Sequence, residues 1–310
     1  MGNLAFGRII TAMVTPFKAN GDVDYKKAAF LAEHLLANGT DTILVCATTG
    51  EAPTLSEEEK LRLFDAVKEK IGSRIMICGT GTNSTKATVD FSLKAKEHGA
   101  DALLIVTPYY NKPPQPFIYE HFRTVAEAVE LPIIAYNIPG RTGTEIKPDT
   151  LAKIASLPNV VAVKESLPSI EPISALSVSL EGMGMDLVKG YEKFVSDRPM
   201  EIYSGDDSAI LPTLAVGGVG VVSVSSHVAG NLMQEMIQAY FAGDAVKAKK
   251  LHLRLYPLFT GMFATTNPIL PKAALRLMGI DVGGLRAPLG EASPEEIAKL
   301  KAVMEKAGIL

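Results

Sequence analysis

Residues 74–106 read RIMICGTGTNSTKATVDFSLKAKEHGADALLIV. Two short apolar runs, Arg74–Cys78 and Ala102–Val106, enclose an amphipathic stretch that starts at Asn83-Ser84-Thr85 and ends at His98-Gly99. Ser and Thr at such a start accept hydrogen bonds from the first free N–H groups of a helix, and a glycine just past the end closes it. The apolar runs are continuous rather than alternating, which suits strands covered on both faces. A strand, a helix and a second strand in succession form the unit of a parallel sheet.

The same rhythm continues in both directions. Ile9–Val14, Thr42–Ala47, Ile133–Tyr136, Val160–Val163, Glu201–Tyr203 and Val219–Val224 are further apolar runs, making eight expected strands. Ser56 to Glu59 forms a capping box at the helix after the second strand, and Gly39 and Gly72 fall just past helix ends. Eight strands allow closure as a (β/α)8 TIM barrel, with an open doubly wound sheet as the competing layout. After the eighth strand the pattern is purely helical. Asp244–Phe259, Ile269–Met278 and Glu295–Ala307 carry apolar residues at helical spacing, and Ser293-Pro294-Glu295-Glu296 is another capping box. The expected organisation is a catalytic barrel over 1–243 and a C-terminal helical domain over 244–310. One interval, Ser166–Pro199, is longer than a single crossover requires.

Composition narrows the function. The chain has 310 residues, 47% hydrophobic and 21% charged, with a formal net charge of -3 and no long run of Lys or Arg. That argues against nucleic acid or an anionic membrane as partner. Cys46 and Cys78 sit inside apolar runs and read as buried free thiols, and the scattered His residues form no metal-ligand pattern. No stretch approaches the roughly 18 uninterrupted apolar residues of a membrane span, and no signal pattern opens the chain. A cytoplasmic setting is the expectation. Gly79-Thr80-Gly81 lacks the remainder of a dinucleotide fingerprint, and Gly217-Gly218-Val219-Gly220 precedes its strand rather than following it.

In a β/α barrel the active site gathers at the C-terminal ends of the strands. The residues to weigh are therefore those that close each apolar run. Lys164 ends NVVAVK; a strand-end lysine commonly reaches water, but an amine held out of water keeps more of its neutral form, which attacks carbonyls. Thr48-Thr49-Gly50-Glu51 follows the second strand as a turn whose hydroxyls and N–H groups suit a carboxylate. Tyr109-Tyr110 follows the fourth strand, and only one of the two is expected to face the centre. Tyr136 to Gly143, YNIPGRTG, follows the fifth; a tyrosine there can move protons, and Arg141 offers a planar fork for a carboxylate. Each of these has a plain structural reading when taken singly.

Together they form a set. TTGE at 48–51, GTGTNST at 79–85, TPYYNKP at 107–113, YNIPGRTG at 136–143, VKE at 163–165, SGDD at 204–207 and GGVGVVSV at 217–224 resemble, in order and spacing, the dihydrodipicolinate synthase and N-acetylneuraminate lyase family. The resemblance spans nearly the whole chain. It implies lysine-dependent pyruvate chemistry on a (β/α)8 barrel, with no cofactor beyond a covalent imine between pyruvate and Lys164. By the same resemblance Tyr136 gives and takes protons, linked through Thr48 to Tyr110, which in this family comes from a neighbouring subunit. Thr49, the backbone at Val222, and Gly205 line the pyruvate region. A homodimer, usually within a homotetramer, follows.

The GRTG and TTGE forms point to the synthase branch, with Arg141 binding the carboxylate of aspartate 4-semialdehyde. The implied reaction joins pyruvate to L-aspartate 4-semialdehyde, giving 4-hydroxy-tetrahydrodipicolinate in lysine and diaminopimelate biosynthesis. Rival readings are a lyase acting on N-acetylneuraminate or a 2-keto-3-deoxy sugar acid, and a non-catalytic metabolite-binding homologue. An aldehyde panel separates the first; the second would need a broken Thr48, Tyr110, Tyr136, Lys164 set, and all four are present. Two departures stand out. After the lysine the chain runs into Leu167-Pro168 instead of a short KEASG-like turn. Positions matching the lysine-inhibited members hold Ala52, Pro53, Glu57, Lys60 and Ala87, with Asn83 and Tyr109 kept, so feedback by lysine is expected to be weak or absent.

Overall fold

The structure is a computed structural model, and it describes residues 5–167, 169–181 and 200–310. Eight parallel strands follow one another in sheet order and close into a barrel: β1 (Ile9–Ala12), β2 (Thr42–Val45), β3 (Met76–Gly79), β4 (Ala102–Val106), β5 (Ile133–Asn137), β6 (Val160–Glu165), β7 (Glu201–Ser204) and β8 (Gly220–Ser223). All eight expected strands are present, with ends shifted by a residue or two. The competing open sheet is excluded by the closed strand order. The strands are buried along almost their whole length, which explains why their sequences are continuously apolar.

The helices in chain order are α1 (Tyr25–Ala37), α2 (Glu57–Ile71), α3 (Thr85–Glu97), α4 (Gln115–Ala128), α5 (Pro139–Thr142), α6 (Pro148–Ala155), α7 (Glu171–Glu181), α8 (Ile210–Ala215), α9 (Ser226–Phe241), α10 (Ala245–Gly261), α11 (Ile269–Leu277) and α12 (Pro294–Ala307). Local signals placed their ends. The Ser56 hydroxyl accepts from the Glu59 N–H while the Glu59 carboxylate accepts from the Ser56 N–H, and Ser293 with Glu296 repeats the arrangement. Ser84 caps α3 by accepting from the Ala87 N–H. The helix α9 is not among the elements expected from the sequence.

By packing, the chain forms two compact units. One comprises the residues up to Arg8 together with Ile77–Val222; the other comprises Ile9–Met76 with Ser223–Leu310. In the first, the register runs Ile77↔Ala102, Leu104↔Ile134, Tyr136↔Lys164, Lys164↔Tyr203 and Ser204↔Val221. In the second, β1 and β2 pair in parallel with Ile10 opposite Thr42, and the helices from α9 onward belong with them. Glycine is required where α1 ends against α9: a Cβ on Gly39 would come within 2.3 Å of the Gly230 backbone. Both cysteines are buried and free.

Of the long interval after β6, α7 is described; Pro168 and residues 182–199 lie outside the described residues. Among the described residues no helix is long and apolar enough to cross a membrane, and no group of His, Cys, Asp and Glu is arranged to hold a metal ion.

Candidate active site

Lys164 and Tyr136 are each one residue from the end of their strands, and they are direct register partners. Both are buried. The Lys164 Nζ lies 4.2 Å from the centre of the Tyr136 ring. Strand pairing sets this contact, because side chains directly opposite one another in a parallel ladder share a face. The Tyr136 carbonyl is held twice by Thr107, from its N–H at 2.9 Å and its hydroxyl at 2.8 Å, so the strand cannot slide at this point. Among the described residues Lys164 has no ion-pair or hydrogen-bond partner, which leaves its amine open to form a bond. The hydroxyls of Tyr136 and Thr48 likewise carry no hydrogen bond among the described residues.

Arg141 sits in α5, directly after β5, exposed and without an ion-pair partner among the described residues. Tyr110 adopts a left-handed conformation, φ 71°, with its N–H donated to the Thr142 carbonyl at 3.3 Å. A non-glycine residue pays for that conformation only where surroundings impose it. Its side chain is 89% exposed. Gly205 follows β7, and its N–H donates to the Glu165 carbonyl at 2.6 Å. Val222 is buried within β8.

In the other unit, Thr48–Gly50 forms a single tight turn after β2, followed by Glu51 at φ 54°. Thr15 donates its hydroxyl to the Gly50 carbonyl at 2.6 Å. Asn267 donates from Nδ2 to the Thr49 hydroxyl at 2.9 Å. Glu51 is buried against Lys272 of α11, with Oε1 2.6 Å from Nζ, and its Oε2 accepts from the Arg286 N–H at 3.0 Å. The Lys272 Nζ also donates to the Gly284 carbonyl and lies over the Phe17 ring. Burial pulls the Lys272 amine below its ordinary pKa, and the Glu51 carboxylate opposes that shift.

Sequence reasoning missed Asn137, Glu165, Asn267, Lys272 and Arg286. Asn137 and Glu165 carried a faint signal, since polar residues inside a fully buried strand call for partners. Burial raises the Glu165 carboxyl to about 8; hydrogen bonds from Asn137 and the Ser166 backbone oppose the rise, and the Glu145 charge adds to it.

A closed parallel barrel that seats a buried lysine, unpaired among the described residues, against a tyrosine at neighbouring strand ends defines a class I type of enzyme, in which a lysine amine is the reacting group. A sequence model of the Dihydrodipicolinate synthetase family matches residues 5–307, and the chain belongs to that family. It is 50% identical to the 4-hydroxy-tetrahydrodipicolinate synthase of Thermosynechococcus vestitus, over 98% of each chain. It is 48% identical to the enzyme of the same name from Heliobacterium modesticaldum, over 99% of this chain and 97% of that one. The crystal structure of dihydrodipicolinate synthase from Cyanidioschyzon merolae with lysine bound superposes with a TM-score of 0.91 at 41% identity, covering 98% of this chain and 99% of that one.

Proposed function

We propose that this chain condenses pyruvate with L-aspartate 4-semialdehyde to give 4-hydroxy-tetrahydrodipicolinate. The observation that carries the reading is the buried Lys164 amine 4.2 Å from the centre of the Tyr136 ring in a chain of this family. The Lys164 amine attacks the keto carbon of pyruvate, and loss of water leaves an imine. Protonated at nitrogen, the imine acidifies the methyl hydrogens, because the cationic nitrogen accepts the electron pair when a proton leaves. The enamine carbon then attacks the aldehyde carbon of the second substrate, whose oxygen takes up a proton. The amine of the bound product displaces Lys164 by transimination and frees the enzyme. The lysine is the only covalent catalyst the sequence of steps needs.

Tyr136 is the proton donor and acceptor for these steps, coupled through Thr48 to Tyr110. Thr49, with the backbone at Val222 and with Gly205 nearby, receives the pyruvate carboxylate and lines its pocket. Arg141 receives the carboxylate of aspartate semialdehyde, a role its free guanidinium suits. Tyr110 serves the site of a second copy of the chain in a homodimer or homotetramer, and its exposed ring supports that role. The 1–243 and 244–310 division, the cytoplasmic setting and weak or absent inhibition by lysine belong to the same reading. Inhibition by lysine in the millimolar range in a steady-state assay would reverse that last point.

The test is direct. The protein is incubated with pyruvate, reduced with borohydride and digested, and the modified peptide is identified by mass spectrometry. An adduct on Lys164, absent in Lys164→Met, is expected. No adduct on Lys164 removes the central step.

A further inference from the structure

The residues that follow the two reacting side chains form a second pair, which the chemistry above does not use. Asn137 follows Tyr136 and Glu165 follows Lys164, and they too are register partners. Successive strand residues point to opposite faces, so this pair lies on the far side of the sheet from the amine and the phenol. Both are buried, at 0% and 4% exposure.

Asn137 replaces a missing strand neighbour. Its Oδ1 accepts from the Ile146 N–H at 2.9 Å, and its Nδ2 donates to the Ile146 carbonyl at 3.1 Å. The second Nδ2 hydrogen goes to Glu165 Oε2 at 3.0 Å. All the strong hydrogen-bonding capacity of one face of the amide is thus committed. A flipped amide would set oxygen against the Ile146 carbonyl and nitrogen against the Ile146 N–H, so the Ile146 backbone fixes which way round Asn137 sits, and Glu165 takes up its remaining hydrogen. The clamp ties residue 146 back to the end of β5 and closes 138–146 into a loop. That loop carries Arg141, and its Thr142 carbonyl holds the Tyr110 N–H in the left-handed conformation. Inside it, the Thr142 hydroxyl donates to the Ile138 and Thr144 carbonyls. The Ser166 N–H donates to the Asn137 carbonyl at 2.9 Å, joining the clamp to the chain just after Lys164. Among the described residues Glu165 Oε1 has no hydrogen-bond partner.

We propose that Asn137, braced by Glu165, is a positioning residue that shapes the 138–146 loop and thereby sets Arg141 for the second substrate, without contributing to imine formation with pyruvate. The proposal rests on the function proposed above for Arg141.

Asn137→Ala, Glu165→Leu and Glu165→Gln separate the possibilities. In Asn137→Ala and Glu165→Leu, KM for aspartate semialdehyde should rise about tenfold or more, the size expected when a buried hydrogen-bonded partner is lost. Trapping of pyruvate on Lys164 should change by no more than about twofold, and KM for pyruvate likewise. Glu165→Gln keeps a neutral acceptor facing Asn137 and should rescue the KM effect. Should Asn137→Ala fail to fold, Glu165→Leu carries the same prediction. A readout free of substrate is hydrogen exchange at the Ile146 amide, which should speed up in Asn137→Ala. If KM for both substrates rises together, if neither moves, or if Ile146 exchange is unchanged, the positioning role is overturned. A wild-type protein that traps pyruvate yet does not turn over aspartate semialdehyde, while Ile146 exchange responds as expected, would instead place the failure in the assigned second substrate.

Discussion

Lys164 and Tyr136 face each other from β6 and β5, with the lysine Nζ 4.2 Å from the centre of the tyrosine ring. The ring thus has two separable parts in the site, a face that packs the amine and a hydroxyl that can carry a proton. Tyr136→Phe keeps the face and removes the hydroxyl. We expect kcat to fall about 10²- to 10⁴-fold while the Lys164 adduct can still be trapped after longer incubation. Tyr136→Ala should in addition lower the rate of trapping below that of Tyr136→Phe, because the ring face contributes roughly 0.5–2 kcal/mol to holding the amine. Equal steady-state rates for wild type and Tyr136→Phe would remove the phenol from the mechanism.

The buried ion pair between Glu51 and Lys272 invites a stability experiment. Their side chains are 1% and 0% exposed. Lys272→Met strands a buried carboxylate, and the loss of one partner in such a pair costs about 3–5 kcal/mol. The double variant Glu51→Leu with Lys272→Met should cost less than the sum of the two single changes, since it leaves no charge unpaired. Urea denaturation at neutral pH reads all three. Glu51 ends the turn that carries Thr48 and Thr49, so Lys272→Met should also raise KM for pyruvate. Additive single effects would mean that the pair is not coupled.

This pair shows what a sequence yields and what it withholds. Each strand was legible because burial on both faces demands continuous apolar runs, and each strand-end residue was legible because a barrel exposes chemistry at one rim. Lys164, Tyr136 and Arg141 could therefore be singled out from their positions. Lys272 could not. In Ile269–Leu277 it occupies the polar position of an amphipathic pattern and reads as solvent-facing, and its partner in β2's turn is remote in the chain. The same distance hides Arg286, which donates to Glu51 from 235 residues away. Barrel closure was legible through the family resemblance and not through the strand rhythm, because a parallel βα rhythm is common to open and closed sheets. Asn137 and Glu165 were visible only as letters of larger motifs; their bond to each other follows from a register that the sequence does not print.

Glu165 gives the protein a pH dependence of a defined sign. Burial lifts its carboxyl from the ordinary 4.5 to about 8, so between those values the folded chain binds more protons there than the unfolded chain. Stability from this group therefore falls as pH rises from 4.5 to 8, with a slope of up to roughly 1.4 kcal/mol per pH unit. His227 acts in the opposite sense. Its Nε2 accepts from the Val14 N–H at 3.1 Å, and its Nδ1 hydrogen points to the Val224 carbonyl at 2.7 Å, so it is held neutral. Burial first of all lowers it from 6.5 to about 4, and its contribution is lost as pH falls through that window. Denaturation curves at several pH values should show Glu165→Gln gaining on wild type from pH 5 to 8. A constant difference over that range would mean that Glu165 is already ionised in the fold.

Gly205 offers a prediction with its own control. A Cβ there would fall 1.8 Å from the Ser166 Oγ and 3.0 Å from both the Ser166 Cβ and the Glu165 carbonyl oxygen. Gly205→Ala must therefore push on the two residues that directly follow Lys164, and a shift of about 1 Å in a reacting group can cost 10²-fold in rate. Among the described residues the Ser166 hydroxyl is buried without a hydrogen-bond partner, so removing it sacrifices little. Ser166→Gly removes two of the three clashes. Combined with Gly205→Ala, it should recover a large part of the lost pyruvate trapping, whereas Ser166→Gly alone should change trapping only slightly. If the double variant traps no better than Gly205→Ala, the glycine is needed for direct approach by substrate, and the crowding against Ser166 is not the cause of the loss.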